Sequence, residues 1–244
     1  MERSKYILAL LLFLGHLNIS ANYKSKIYNA FISNDMTGWG KVIDEMQLQK
    51  NTSNEFRLEL INYQYGYIAW CIGVKNDDLA EKYLALAEEN LESLEKAKYN
   101  LSMVNAYKSA FYGYRIGLNV LKAPFIGLKS VDCAKLAIKL DEKNPFGYIQ
   151  YGNSQFYMPA VFGGSKTVAL EYFRKAEGLM ELDKEGINED WNYLSVLTVI
   201  TQSLIATNHY DDAKIHFQKI FKVEPNYLWV KNELYPQFLK KLKK

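Results

Sequence analysis

The sequence predicts an all-α protein, an α-α superhelix of about five helical hairpins with a C-terminal capping helix. Three observations carry that prediction. Apolar residues recur at three- and four-residue spacing along almost the whole chain, and no segment alternates convincingly with period two. Breakers are sparse, with 5 Pro and 14 Gly among 244 residues, and several fall between apolar runs. A small–large–small triplet also returns on the second helix of successive hairpins. Composition supports a folded chain: 49% hydrophobic residues with 23% charged ones exclude disorder. A formal charge of +3 is too small to point to nucleic acid.

The first segment reads as an address. Arg3 and Lys5 precede an apolar run from Tyr6 to Leu14, broken by Gly15, His16 and Asn18. Ile19-Ser20-Ala21 then offers a small residue before Asn22, as at a secretory cleavage point. The run is about half the ~20 residues that span a bilayer. A buried N-terminal helix or an uncleaved anchor is the alternative. No Cys follows the run, which argues against a lipid anchor. The expectation is a signal at 1–21, cleaved near Ala21, and a single helical repeat domain at 22–244, periplasmic or secreted. Cys71 and Cys133 lie far apart in helical patterns, so two free thiols are preferred to one bridge.

Each element has a local reason. The first hairpin is expected over 23–34 and 38–49, and the second over 54–74 and 77–98. Within 77–98, Leu79, Ala80, Tyr83, Leu84, Ala87, Leu91 and Leu94 form one stripe, and Asp77 and Asp78 favour the positive end of the dipole. The third hairpin is expected over 101–121 and 127–140. Pro145 starts the fourth, over 145–158 and 166–181, with Gly163-Gly164-Ser165 as its turn. The fifth covers 189–206 and 211–223, turning at 208–211. A broken helix over 227–243 carries Pro236 and ends in Lys240, Lys241, Lys243 and Lys244, cations suited to a helix C-terminus.

The recurring triplet is Ala80-Leu84-Ala87, Ala169-Phe173-Ala176 and Ala213-Phe217-Ile220, with Ser130-Ala134-Ala137 as a weaker copy. Small residues let two helices approach, and the larger one fills the groove between them. The series Asn208-x-Tyr210-x-x-Ala213-x-x-x-Phe217-x-x-Ile220-x-x-x-x-Pro225 resembles the second half of a tetratricopeptide repeat. The family period is about 34 residues, whereas the marker positions 80, 130, 169 and 213 here are 50, 39 and 44 apart, so the array is degenerate. A narrower resemblance covers about forty residues: Asn144-Pro145, then Tyr157 to Lys166, then Ala169-x-x-x-Phe173-x-x-Ala176. It is similar to the T component of TRAP-type transporters, which implies an extracytoplasmic solenoid that holds a small ligand beside a transporter.

Catalytic machinery is not evident. His209 and His216, the histidines beyond the signal, have no Cys or carboxylate at a ligand spacing, and no Cys-x-x-Cys occurs. Gly163-Gly164-Ser165-Lys166 lacks the phosphate-loop spacing and reads as a hairpin turn. Gly152-Asn153-Ser154-Gln155-Phe156 fails as a nucleophile elbow, and Gly152 more simply lets two helices pack closely. The expectation is a non-enzyme without metal or cofactor.

The first helices of the hairpins are rich in aromatics. Tyr63, Tyr67 and Trp70 share a face, as do Tyr107, Phe111 and Tyr114, then Tyr148, Tyr151 and Gln155. In a solenoid these helices line the concave surface, where Tyr offers a flat apolar body with a polar tip. The competing reading is inter-helix core. Candidate ligand contacts are Tyr65, Tyr114, Gln155 and Tyr157, with Arg115 as a charge partner and Phe162, Gly163 and Gly164 at the rim beside Phe125. The functional expectation is a binding module that holds a protein, peptide or small molecule on its inner face, with membrane association only through a partner. The alternative is a ligand-free scaffold for envelope assembly.

Overall fold

The structure, a computed structural model, describes residues 22–49 and 53–243. The proposed signal at 1–21 lies outside the described residues. Five hairpins follow in chain order. They are α1 (22–32) with α2 (Met36–Gln47), α3 (Asn54–Gly73) with α4 (Asp77–Lys96), and α5 (Leu101–Leu118) with α6 (Ala123–Leu140). Then come α7 (Pro145–Tyr157) with α8 (Lys166–Met180), and α9 (Trp191–Ala206) with α10 (Tyr210–Val223). A π-helical turn (Val230–Leu234) leads into α11 (Tyr235–Leu242). There is no strand among the described residues.

Helix starts follow the expected polar residues. Asp35, Ser53, Asn76, Asn100, Asn144, Ser165 and Asp190 each accept a first-turn backbone N–H through the side chain. Three of the five hairpin turns are alike. Asn34, Lys75 and Asn208 each take a left-handed conformation, with φ of 57°, 60° and 61°. The following amide reaches five residues back in each, Asp35 to Ala30, Asn76 to Cys71 and His209 to Leu204, at 2.8, 2.9 and 2.9 Å.

The other two turns differ. Between α5 and α6 the chain makes a 3₁₀ turn at Val120–Lys122, and α6 begins at Ala123 rather than 127 because Pro124 suits its first turn. Between α7 and α8 it makes a 3₁₀ turn at Ala160–Phe162. Gly163 follows with φ 95°, and a Cβ on Gly164 would stand 1.9 Å from the Met158 carbonyl oxygen. Both glycines are therefore required by the turn, as the hairpin reading supposed.

The repeating triplets mark the packing seams. Ala80, Leu84, Ala87, Ala134, Ala137, Ala169, Phe173, Ala176, Ala213 and Ile220 are all fully buried. Ser130 serves the weaker copy by donating to the Ser109 carbonyl across α5 and α6 at 2.8 Å. Gly152 sits where a Cβ would stand 2.5 Å from the Phe173 ring, so its absence lets α7 and α8 close on that ring. Phe238 and Tyr235 cover Phe217, with ring centroids 5.2 and 4.9 Å away, so α11 caps the array.

The stack also curls until its ends meet. Tyr28 of α1 donates to Glu224 at 2.9 Å, and the Phe31 and Tyr227 rings lie 4.9 Å apart. Trp191, which opens α9, packs edge-on against Trp39 of α2 at 5.0 Å. The inner face is thus enclosed by contacts between the first hairpin and the last.

Candidate functional site

At the centre of the inner face stands Tyr65 of α3. Its ring lies 5.9 Å from Tyr107, 5.6 Å from Tyr114, 5.8 Å from Phe146 and 6.1 Å from Trp191. One side chain therefore touches α5, α7 and α9. Tyr114 stacks on it and donates to the Tyr65 carbonyl at 3.0 Å. Asn153 of α7 donates to the Tyr65 hydroxyl at 3.4 Å. Burial raises the pKa of both phenols, so they stay neutral donors and acceptors at physiological pH. The middle of the concave face is packed rather than open.

Most of the inner-face aromatics are consequently core. Tyr63, Tyr67, Tyr107 and Phe111 are buried. Tyr67 packs edge-on against Tyr83 of its own hairpin at 5.0 Å. Gln155 is buried as well.

Arg115 is placed differently from the expectation of a groove charge. It makes a two-point ion pair with Glu88 on α4, the outer helix of the preceding hairpin. The reason is spacing: one residue past Tyr114 turns the side chain off the inner face.

What the fold leaves open lies at the two edges of the packed centre. At the hairpin-turn edge, the two irregular connections carry apolar residues outward. Val120 and Leu121 come from the α5–α6 connection, Phe125 and Leu128 from the first two turns of α6, and Tyr157, Val161 and Phe162 from the end of α7 and its turn. All seven are 71% to 86% exposed. Helices α5 and α7 pack side by side, which makes the two connections neighbours. Tyr157 lies within electrostatic reach of Tyr114 and Tyr65, so this apolar rim continues into the packed centre. Lys122 and Lys129 flank it, both exposed and without an ion pair among the described residues. Lys166 holds the turn by donating to the Phe156 carbonyl at 3.0 Å and standing 3.9 Å from the Phe156 ring.

The rim brings together Tyr157, Phe162, Gly163 and Gly164 from the expected set, with Tyr65 and Tyr114 behind them. It leaves out Arg115 and Gln155. Val120, Leu121, Leu128 and Val161 were missed. The signal that could have found them is apolar residues in and just after two turns where the other hairpins place Asn, Lys or Asp.

No group of His, Cys, Asp and Glu side chains among the described residues could hold a metal ion. No helix among them is long and apolar enough to cross a membrane.

No family model and no curated protein matches the sequence. A solved haemophore shares its fold. The HusA haemophore from Porphyromonas gingivalis superposes with a TM-score of 0.62, over 77% of this chain and 94% of that one. The identity is 19%, so the likeness establishes the all-α fold and leaves the chemistry of the site to be argued from its residues.

Proposed function

We propose that the protein is a non-catalytic extracytoplasmic binding module that holds a flat apolar small molecule at the hairpin-turn rim. A tetrapyrrole is the ligand class that fits. The observation that carries this reading is the departure of two turns from the tight form used by the other three. These two connections and the helix ends beside them present seven apolar side chains to solvent, where exposed apolar surface is unfavourable unless something covers it. Tyr157 and Phe162 supply ring faces for stacking. Lys122 and Lys129, both exposed on the same stretch of chain, offer cations for the acidic substituents of such a ligand. The haemophore fold is consistent with this class. Neither His209 nor His216 belongs to the rim, so recognition would rest on the macrocycle rather than on an imidazole–iron bond.

The packed centre argues against a long peptide, which needs a continuous groove, and in favour of a compact ligand at one edge. The same closure is the feature that would suit a ligand-free scaffold. The buried triplets are consistent with a degenerate tetratricopeptide array, and export through the segment at 1–21 would place the module outside the cytosol.

Titration of the purified protein with haemin and with metal-free protoporphyrin IX tests the reading. Both should bind saturably, with affinities within about tenfold of each other, a difference of about 1.4 kcal/mol. Absence of binding by either would remove the tetrapyrrole assignment. Binding of haemin alone would move recognition to the metal.

A further inference from the structure

The opposite edge of the packed centre has a different chemistry. There the first turns of α3, the start of α5 and the segment entering α9 surround a cleft of about 430 Å³. Glu55, Glu59, Glu189 and Asp190 line it, and Lys24 is the one basic side chain among the described residues that does so. Its aromatic walls are Tyr63, Tyr99, Tyr107 and Trp191.

The carboxylates have distinct roles. Asp190 caps α9 by accepting from the Asn192 amide at 2.9 Å. Glu59 accepts from the Tyr63 hydroxyl at 2.7 Å. Lys24 directs its ammonium to the Gly186 carbonyl at 3.3 Å. Asn62 commits its side-chain oxygen to Trp191 Nε1 and Asn192 Nδ2, at 2.9 and 3.3 Å. Tyr107 is the exception. Its side chain is fully buried, and its hydroxyl makes no hydrogen bond of ordinary length, with the Asn62 side chain as a polar neighbour. A buried hydroxyl without a full-strength hydrogen bond is unfavourable by up to about 1–3 kcal/mol, so its oxygen retains a free lone pair for an arriving donor.

We propose that this cleft binds an organic cation, an ammonium or guanidinium group on a short apolar stem. The N–H donors would meet Asp190, the neighbouring glutamates and the Tyr107 hydroxyl, while the stem would lie against Trp191 and Tyr99. A bare metal ion is a poor match, because the walls are rings and no three ligating groups converge. The cation can be carried by a free amine or by a Lys or Arg side chain of a polypeptide. The site is separate from the rim and does not depend on the tetrapyrrole reading.

The test follows the Trp191 indole N–H by NMR in the full chain. n-Butylammonium and n-butylguanidinium should shift it saturably, and the neutral isostere n-butanol should not. Asp190→Asn keeps a capping side chain, removes one charge, and should weaken binding at least about tenfold with the helical circular dichroism unchanged. Tyr107→Phe keeps the ring and should weaken it at least about threefold. If Asp190→Asn fails to fold, Tyr107→Phe decides alone. A response to butanol equal to that of the cations, no response to either cation, or unchanged affinity in the folded variants would overturn the proposal. A Gly-Ser peptide with one central Arg separates the sources. Tighter binding than butylguanidinium assigns the cation to a polypeptide, and equal or weaker binding assigns it to a free amine.

Discussion

Gly66 of α3 lies under the indole of Trp191, 125 residues further along the chain. A Cβ on Gly66 would stand 2.7 Å from Trp191 Cη2 and 2.8 Å from Trp39 Cζ2. Two large rings thus occupy the place where any other residue would carry its side chain. They join the first, second and last hairpins at that point. Gly66→Ala should destabilise the fold by about 1–3 kcal/mol, the usual cost of overpacking. Urea unfolding measures it. Gly66→Ala combined with Trp191→Phe should cost less than the sum of the two single changes, because the smaller ring gives way.

That relationship also marks the limit of what the sequence discloses. Helical periodicity says which face of a helix is buried, and the triplet at Ala169, Phe173 and Ala176 says that a neighbouring helix comes close. Both signals are local, so the hairpins were legible. Neither names a partner a hundred residues away. The curl that brings Tyr28 to Glu224 was therefore hidden, and with it the closure of the inner face. The rim was half legible. Phe162, Gly163 and Gly164 stand out in a short turn, whereas Leu121 and Leu128 look like helix core until the connection is seen to project them outward. The acidic cleft was illegible because its residues come from four separated segments, at 24, 55–63, 99–107 and 189–192.

His216 gives the stability a pH dependence. It stands on α10 facing α8, with Nε2 3.7 Å from Glu177, while Lys219 bridges Glu177 and Glu181. Burial lowers its pKa below the ordinary 6.5, although the Glu177 charge acts the other way. The folded protein thus resists a proton that the unfolded chain accepts near 6.5. Stability is retained above that pH and falls as pH drops through the window beneath it. The urea midpoint should decrease between pH 7.5 and 5.5, and His216→Gln should reduce the decrease. Comparing the two proteins cancels Asp190, whose carboxyl pKa burial pushes up and whose contribution runs in the opposite sense.

Both cysteines are free. Burial pushes the Cys71 thiol up to about 11, and Cys133, half-buried, is also raised by burial. Thiolate is the reactive form, so both should be slow toward Ellman's reagent at pH 7.5, with Cys133 the faster. Unfolding without reductant should then release two titratable thiols. A count of zero would mean that the pair is bridged and that the third and second hairpins sit differently.

Arg115 is tied to Glu88 at a half-exposed position, so its loss removes a surface ion pair of about 0.2–1 kcal/mol. Arg115→Ala should lower the unfolding midpoint slightly, and less in high salt, where the pair is screened. Ligand affinity should not change. A loss of tetrapyrrole binding without a change in stability would return Arg115 to the site and would mean that the ion pair opens when ligand arrives.

The rim makes the sharpest division between folding and binding. Phe125 and Phe162 are 77% and 74% exposed, so replacing them forfeits little packing. Surface changes away from caps and ion pairs usually fall within about 0.5 kcal/mol. The double variant Phe125→Ser with Phe162→Ser should therefore unfold at nearly the wild-type urea concentration. Covering one ring face is worth roughly 0.5–1.5 kcal/mol beyond its buried area. Loss of both should weaken haemin and protoporphyrin at least about tenfold, by the same factor for each. Equal weakening follows only if the macrocycle is what the rim grips. A selective loss of haemin would point to an iron ligand, and an unchanged affinity would place the ligand elsewhere on the superhelix.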